Sequence, residues 1–353
     1  MKVLITGGTG SVGRAATERL VKNGWDVRVI GRRSHVEVPG AEYAVCDVTS
    51  FEDLCDKAVG CDAIVHLAAV PQPTEAPAPE LMRVNVLGTV NVFQAAVRVG
   101  ILRVVQASSI NAFGCWWGVV DMSHLRYFPI DEAHPTFTTD PYSFSKEIIE
   151  DIGSYYWRRD GISSVALRLP WVHPAGYQES QGHRTRVRQD RCLLDEIAAM
   201  PDAARQARLS AARHKAMERR RSRPFEFGAA ETSTKFNDAE DGALCRMQMG
   251  ARFNFWAFLD ERDSAQAIEK ALLAEYEGSH VLFVNDSHNW LMYDTERLLS
   301  MFYPEVTRRT HTIRGCESLV SIDRARNLIG FEPLHSVSAI STATGDQECP
   351  PTR

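Results

Sequence analysis

The sequence contains no long run of apolar residues. Residues 3–5, the apolar segment at its start, are far too few for a signal peptide or a membrane span, so we expect a cytoplasmic protein without membrane contact. A CxxC pair is missing among the eight cysteines, which argues against both a zinc site and a disulfide framework. No metal is therefore predicted.

An overall excess of positive charge is also absent, because 45 Asp and Glu residues outnumber 40 Lys and Arg residues. Such a surface gives no general reason to bind nucleic acid, so we expect small-molecule partners. One stretch departs from this average: between Arg184 and Arg223, twelve basic residues stand against five acids. Its alanines and arginines predict helix. We interpret it as a solvated helical insertion, a substrate lid or an oligomer contact, with an RNA- or lipid-binding arm as the alternative.

Short apolar runs alternate with helical stretches from Lys2 to about Leu169. This alternation is typical of βαβ units and predicts an α/β fold with a parallel sheet. Further along, we expect the basic helical insertion at about 178–250, a strand at 253–260 (FNFWAFLD) and another at 280–286. The predicted division is a first domain over 1–175, a smaller lobe over 176–335 and a loose tail over 336–353.

A glycine-rich loop connects the first predicted strand to the first predicted helix. Gly7, Gly10 and Gly13 let the backbone bring its N–H groups close to a pyrophosphate, and the helix N-terminus adds partial positive charge. The segment TGGTGSVG resembles the short-chain dehydrogenase/reductase superfamily. This resemblance implies that the loop, with Ser11 and Val12, holds the pyrophosphate of NAD(P).

The second predicted strand ends in arginine, where many NAD-binding proteins carry an acid. A carboxylate there would bind the 2′-hydroxyl of NAD, whereas Arg32 accommodates the 2′-phosphate of NADP, so NADP is slightly preferred over NAD. The resemblance implies further cofactor contacts at Asp47, Val48, Leu67, Ala68, Ala69, Asn85 and Lys146. Asp47 has an alternative role as the cap of a helix that begins near Ser50.

A tyrosine and a lysine lie four residues apart in the segment PYSFSK. Tyr142 and Lys146 therefore share one face of a predicted helix. A neighbouring ammonium group favours the phenolate, so this tyrosine can exchange a proton with an alcohol. In the superfamily, a Ser or Thr about thirty residues upstream binds the reacting oxygen, and the motif ASSINAFG places Ser109 in that role, with Ser108 as the alternative.

These motifs together resemble the extended short-chain dehydrogenase/reductases, the NAD(P)-dependent epimerase/dehydratase family, over about residues 1–175. The resemblance implies a Rossmann-like doubly wound parallel sheet, a substrate-binding C-terminal lobe, a homodimer and catalysis by Ser109, Tyr142 and Lys146.

The chain departs from the family pattern at two places. Sugar dehydratases of the family carry an Asp-Glu pair after the catalytic Ser or Thr, whereas Ile110 and Asn111 stand here, so dehydration is disfavoured. Sugar epimerases typically carry an asparagine where this chain has Trp171. Trp116, Trp117 and Trp171 are candidates for an aromatic wall against a sugar face or another flat substrate, with core packing as the alternative. The predicted substrate-binding residues are Ser108, Asn111, Trp116 and Trp171.

We therefore expect an NAD(P)-dependent oxidoreductase or epimerase that transfers hydride at an alcohol or carbonyl carbon of a sugar or nucleotide sugar. One alternative is an NADPH-dependent carbonyl reductase or alcohol dehydrogenase that acts on a non-sugar substrate. The other alternative is a binding module that senses NAD(P) without catalysis.

Overall fold

A parallel sheet forms the centre of the computed structural model, which describes residues 1–34, 36–229 and 241–336. The strands are β1 (Lys2–Thr6), β2 (Asp26–Gly31), β3 (Glu42–Val45), β4 (Ala63–His66), β5 (Arg103–Ser109), β6 (Ser163–Leu169), β7 (Trp171–His173), β8 (Phe258–Asp260) and β9 (Ser279–Phe283). In the described part of the chain, seven strands form one sheet in the order β3-β2-β1-β4-β5-β6-β9, and β7 pairs with β8. All of these pairs are parallel, so the predicted Rossmann-like sheet is confirmed.

Helices cover both faces of this sheet. The helices are α1 (Ser11–Lys22), α2 (Phe51–Ala58), α3 (Ala78–Met82), α4 (Gly88–Val99), α5 (Pro141–Asp160), α6 (Gln181–Ala199), α7 (Asp202–Arg221), α8 (Gly242–Met249), α9 (Glu261–Leu273), α10 (Thr295–Phe302) and α11 (Asp323–Ile329). Val3 and Ile5 pack in the hydrophobic cluster with α1, α9 and α11, whereas Leu4 packs in the cluster with α2, α4 and α5. Successive side chains of a strand point to opposite faces, so β1 needs an unbroken apolar run to bury both.

A third hydrophobic cluster joins the segment after β5 to helices α6, α7, α8 and α10. Phe113, Phe255, Trp256 and Phe302 are among its fully buried side chains. The described part of the basic insertion is therefore packed into a core, and the expectation of a merely solvated excursion is wrong. Residues 230–240 of the insertion and 337–353 of the expected tail lie outside the described residues.

The strand expected at 253–260 is wrong for most of its length. Only Phe258–Asp260 is a strand, whereas Ala251–Asn254 forms a 3-10 helix. Phe255 and Trp256 have positive φ angles of 54° and 49°, which a strand does not allow. The apolar residues of this run are buried because they fill the third cluster, and an apolar run by itself does not distinguish a strand from other buried segments.

Much of the insertion's positive charge is paired with acids. Arg205 binds Asp202, Arg208 binds Asp241, and Arg213 reaches Glu305 near the end of α10. These pairs reduce the unscreened positive charge that a nucleic-acid surface requires. A helix long and apolar enough to cross a bilayer does not occur among the residues that the structure describes.

Most of the cysteines are free thiols, namely Cys46, Cys55, Cys61, Cys115, Cys245 and Cys316.

Candidate functional site

The predicted site residues follow the carboxyl ends of the parallel strands. The glycine loop follows β1, Arg32 follows β2, Asp47 follows β3, and residues 67–69 follow β4. Ser109 is the last residue of β5. In the sheet, β1 lies between β2 and β4, where the strand order reverses. Open α/β sheets bind ligands in the crevice at this edge and this point.

The glycine loop leaves the N-terminus of α1 open. Gly10 is the N-cap of α1 and supplies no side-chain cap. A Cβ atom on Gly10 would lie 3.5 Å from the Gly7 carbonyl oxygen, with no closer neighbour, so the space in front of the helix is clear. A Cβ atom on Gly13 would instead lie 2.4 Å from the same oxygen, so this glycine serves the packing of the loop. An uncapped helix N-terminus facing open space fits the pyrophosphate of a dinucleotide.

Ser11 and Val12 of the same loop have neighbours within the protein. The Ser11 hydroxyl donates to Glu261 at 3.2 Å, and the same carboxylate accepts the Ala175 amide at 3.0 Å. The Val12 side chain packs against the core beneath the sheet. Any contact of Val12 with a pyrophosphate therefore comes from its backbone.

A buried hydrogen-bond chain holds the loop after β4. The Thr6 Oγ1 accepts from the Leu67 and Ala68 amides at 3.2 and 3.1 Å and lies 2.7 Å from His66 Nδ1. Burial lowers the pKa of His66 to about 3, so the ring is neutral. The Thr6 hydroxyl already accepts from two amides, so its proton is donated to His66 Nδ1. The proton of the neutral ring is therefore on Nε2, which lies 3.1 Å from Thr89 Oγ1. His66 thus supports the backbone of this loop.

Asn85 holds the next residues of the same loop. Its Oδ1 accepts from the Val70 amide at 2.7 Å, and its Nδ2 donates to the Val70 carbonyl and to Ser145. Asn85 lies in a π-helical turn, Arg83–Leu87, ahead of α4. The amide is engaged by protein groups, so we assign it to positioning the loop that includes Ala69. Val48 is held similarly, because its carbonyl accepts from Asn91 at 3.0 Å.

Asp47 and Arg32 lie at the outer end of the crevice. Asp47 accepts from the amide and the hydroxyl of Thr49 at 2.9 and 2.8 Å, so it caps a local turn and not the helix beyond Ser50. Burial acts to raise the pKa of Asp47, but the Thr49 hydrogen bonds and the charges of Arg83 and Arg32 lower it overall. The Arg32 side chain is exposed and makes no hydrogen bond or ion pair with the described residues.

Tyr142, Lys146 and Ser109 meet at the end of β5. Asp140 accepts from the Ser143 amide at 2.8 Å and caps α5 ahead of Pro141, which sets the first turn where Tyr142 lies. The Lys146 Nζ lies 5.8 Å from the Tyr142 ring centroid and donates to the Ala107 carbonyl at 2.7 Å. Burial raises the pKa of Tyr142 to about 12, and the Ser109 hydroxyl opposes this rise. The lowered pKa expected from the neighbouring ammonium group is therefore wrong for this structure, because desolvation is the larger effect.

Ser108 is turned to a different task. Its hydroxyl donates to Glu150 at 2.6 Å, and Arg168 binds the same carboxylate in a bidentate pair at 2.9 and 2.8 Å. Ser108, Glu150 and Arg168 are all buried. This network joins β5, α5 and β6, so Ser108 is engaged in structure and Ser109 is the serine that faces Tyr142. Burial lowers the pKa of Lys146 to about 8, and the charge of Glu150, one turn further along α5, opposes that effect.

The segment after Ser109 is held in place by Asn111 and by Arg220 of the basic insertion. Asn111 Oδ1 accepts from the Trp116 amide at 3.2 Å. The Arg220 guanidinium is 1% exposed and donates to the carbonyls of Cys115, Trp116 and Gly118 at 2.9, 2.8 and 2.6 Å. Asn111 therefore supports the loop through its Oδ1, and its role as a substrate ligand stays a prediction.

Trp116 and Trp171 line one cavity of about 150 Å³. Leu169 pairs with Ser109 in the sheet, and Trp171 follows two residues later, so this cavity lies beside the end of β5. No sequence motif indicated the other lining residues, which are His173, Tyr177, His183, Arg186, Arg246, Gly250, Ala251, Asn254, Ala257 and Trp290. The segment HPAGYQESQGH is rich in aromatic and histidine residues, but only the fold shows that they surround one space.

The model of the NAD dependent epimerase/dehydratase family matches residues 3–191, which is more than half of the chain. An L-arabinose 1-dehydrogenase (NAD(P)(+)) of Haloferax volcanii is 33% identical over 177 residues, covering 48% of this chain and 67% of that protein. A uronate dehydrogenase of Pseudomonas syringae pv. tomato is 29% identical over 170 residues, covering 48% and 58%. A UDP-glucose 4-epimerase of Lactobacillus helveticus is 31% identical over 180 residues, covering 48% and 51%. The matches thus span about half to two-thirds of these relatives.

Solved structures share the fold over nearly the whole chain. A short-chain dehydrogenase/reductase superfamily protein from Agrobacterium tumefaciens with bound NAD has a TM-score of 0.60 at 21% identity, covering 97% of this chain and 95% of that one. The uronate dehydrogenase of Agrobacterium tumefaciens has a TM-score of 0.57 at 16% identity, covering 99% and 91%.

Proposed function

Because this chain belongs to the NAD-dependent epimerase/dehydratase family, we propose that it is an NAD(P)-dependent oxidoreductase or epimerase acting on a sugar or nucleotide sugar. The observation that carries the proposal is the meeting of Ser109, Tyr142 and Lys146 at the end of β5. When bound, the nicotinamide group accepts or donates the hydride.

Tyr142 exchanges the proton of the reacting oxygen. Its phenol is protonated at neutral pH, where its ordinary pKa near 10 and the value of about 12 to which burial raises it give the same form, so it carries the proton that a carbonyl takes up on reduction. Ser109 lies beside it and orients the same oxygen by a hydrogen bond. The Lys146 ammonium group stabilises the negative charge that develops on the phenol when the alcohol is oxidised.

The glycine loop holds the dinucleotide, and we propose that NADP is preferred over NAD. Arg33 lines one cleft with Gly8, Thr9 and Arg14 beside the glycine loop, and Arg32 is exposed next to it. Glu18 and Glu37 line the same cleft, but neither Arg32 nor Arg33 forms an ion pair with an acid of the described residues, and such guanidinium groups suit the 2′-phosphate of NADP. Titration of the protein with NADPH and with NADH tests this preference, and tighter binding of NADH would contradict it.

Net oxidation or reduction and epimerisation differ in whether the hydride leaves the enzyme. The dehydrogenase relatives favour the first and the UDP-glucose 4-epimerase favours the second. A dehydrogenase changes the absorbance of the free nicotinamide cofactor with each turnover, whereas an epimerase converts its sugar with no net change. Sugar-dependent absorbance change and product analysis on the same samples separate the two candidates.

The test of the catalytic assignment is Tyr142→Phe. We expect cofactor binding within about twofold of wild type and turnover reduced by two to four orders of magnitude, because the proton donor is lost. Tyr155→Phe, an exposed tyrosine on the same helix, is the matched control and should retain full turnover. Equal turnover of Tyr142→Phe and wild type would overturn the assignment. The division at 175 and 176, the homodimer and the cytoplasmic location remain predictions.

A further inference from the structure

The cavity lined by Trp116 and Trp171 contains more positive than negative charge. Arg186 of α6 and Arg246 of α8 both line it. The buried Asp190 is the acid beside them, and Arg186 Nε lies 3.8 Å from its carboxylate. Burial raises the pKa of Asp190, and the charges of Arg186 and Arg246 oppose that rise. Among the described residues that line the cavity, Arg186 and Arg246 are positively charged and none is an acid, and the Asp190 ion pair offsets the charge of Arg186 only.

The Arg246 guanidinium group has no partner among the residues that the structure describes. It makes no hydrogen bond or ion pair with the described residues, whereas Arg186 has Asp190 within ion-pair distance. Arg246 is exposed at the cavity, so solvent satisfies it when no ligand is bound. A cation placed in this way is available to an anion that enters the cavity.

The rest of the cavity wall is uncharged and contains six aromatic or histidine side chains beside Gly250, Ala251, Asn254 and Ala257. His173 stacks on Tyr177 with ring centroids 4.1 Å apart, and His183 lies 5.9 Å from Trp290. Burial lowers the pKa values of His173 and His183 to about 4, so both rings are neutral near pH 7. The His183 Nε2 is buried and has no hydrogen-bond partner in the described structure. A buried polar atom without a partner in a cavity wall indicates that a ligand group or water satisfies it.

We propose that this cavity binds the anionic group of a monosaccharide that carries a carboxylate or a phosphate, with Arg246 as the residue that binds the anion. Aromatic rings suit the apolar face of a sugar, and His183 Nε2 suits one of its hydroxyl groups. A space of about 150 Å³ accommodates one sugar ring and is well below the roughly 300–1,000 Å³ of sites for larger ligands. The inference rests on the proposed function for the reaction at Tyr142, and it narrows the substrate to an acidic sugar.

The kinetic test compares three sugars of the same stereochemistry: the neutral aldose, its uronate and its 6-phosphate. For wild type we expect the highest kcat/KM with one of the two anionic sugars. The preferred sugar shows whether the cavity binds a carboxylate or a phosphate. Arg246→Gln should lower kcat/KM for that sugar about tenfold to hundredfold, mainly through KM, and leave the neutral aldose unchanged. Arg188→Gln, an exposed arginine on α6 outside the cavity, is the control and should change neither. An equal loss with neutral and anionic sugars, or no loss, would overturn the inference.

A binding test separates this inference from the proposed function. The same sugars are added to wild type and to Arg246→Gln, and the shift of the thermal unfolding midpoint is measured. Stabilisation by an anionic sugar that depends on Arg246, without any hydride transfer, would retain the inference and refute the proposed function. Hydride transfer on neutral sugars with no stabilisation by anionic ones would do the reverse.

Discussion

Replacement of Arg220 by methionine tests whether the basic insertion holds the loop beside the catalytic serine. Arg220 lies at the end of α7, about a hundred residues along the chain from the loop that it binds. Its Nη2 donates to three carbonyls of residues 115–118, and its Nη1 donates to Met249 at 2.9 Å. The guanidinium carbon also lies 3.6 Å from the Phe253 ring centroid. Methionine has a similar length but no donor, so it removes all of these bonds at once.

The magnitude follows from two opposing terms. Hydrogen bonds from a charged donor contribute about 1.5–3 kcal/mol each, and Arg220 has three N–H groups that serve four carbonyls, so their loss costs roughly 5–9 kcal/mol. Burial of the cation acts the other way, since it lowers the pKa of Arg220 to about 9, and removing the charge regains roughly 5 kcal/mol. We expect Arg220→Met to lower the free energy of unfolding by about 2 kcal/mol.

The assays are urea denaturation and steady-state kinetics on the same samples. Arg220→Met should raise KM more than it lowers kcat, because Trp116 lines the cavity while Ser109 and Tyr142 remain in place. Arg220→Lys retains the charge but not the fork of donors, so it should not restore KM. Arg221→Met, an exposed neighbour on the same helix, should change stability by less than about 0.5 kcal/mol. Wild-type stability and KM in Arg220→Met would refute the reasoning.

Three further predictions concern the loop, the serines and the lysine. Gly10→Ala should keep a thermal unfolding midpoint close to wild type, because its Cβ meets no close protein atom, but it should lose dinucleotide binding in a titration. Gly13→Ala should lower the midpoint, because its Cβ would lie 2.4 Å from a carbonyl oxygen. Equal midpoints of the two variants would contradict this prediction. Ser109→Ala should lower kcat with little change in the free energy of unfolding. Ser108→Ala should lower the free energy of unfolding by about 1–3 kcal/mol, because the buried Glu150 carboxylate loses a donor. The reverse pattern would make Ser108 the catalytic serine and Ser109 the structural one. Burial lowers the pKa of Lys146 to about 8 from its ordinary value of 10.5. Between these two pH values the unfolded chain binds one more proton than the folded chain, so the free energy of unfolding should rise with pH. Relative to Lys146→Met, we expect a rise of up to about 3 kcal/mol, measured by urea denaturation. A difference independent of pH would show that the lysine keeps its ordinary pKa.

Predictions from the sequence succeeded where the structural signal is local. The glycine loop, the strand before it and the helix after it lie within about twenty residues, so their pattern is complete in one segment. The four-residue spacing of Tyr142 and Lys146 likewise determines a shared helix face without reference to the rest of the fold. The strand over 253–260 failed because its apolar residues record burial in a core and not the alternation of a sheet.

The pKa of Tyr142 shows the limit of reasoning from neighbours in the sequence. The spacing to Lys146 predicts a nearby ammonium group, and the structure places one there. Burial of both groups is a property of the whole fold. It raises the phenol pKa, which is opposite to the expected direction, and it lowers the ammonium pKa.

By itself, the sequence determined the parallel sheet, the glycine loop and the pairing of tyrosine with lysine, because hydrophobic periodicity and short motifs act over one or two secondary-structure elements. Only the tertiary structure decided which serine faces Tyr142, that Arg220 binds the loop of Trp116, and that Arg246 lines an aromatic cavity without an ion-pair partner among the described residues. These contacts join residues tens to about a hundred and fifty positions apart. Their formation depends on how the helices of the insertion pack against the end of the sheet, which no local pattern encodes.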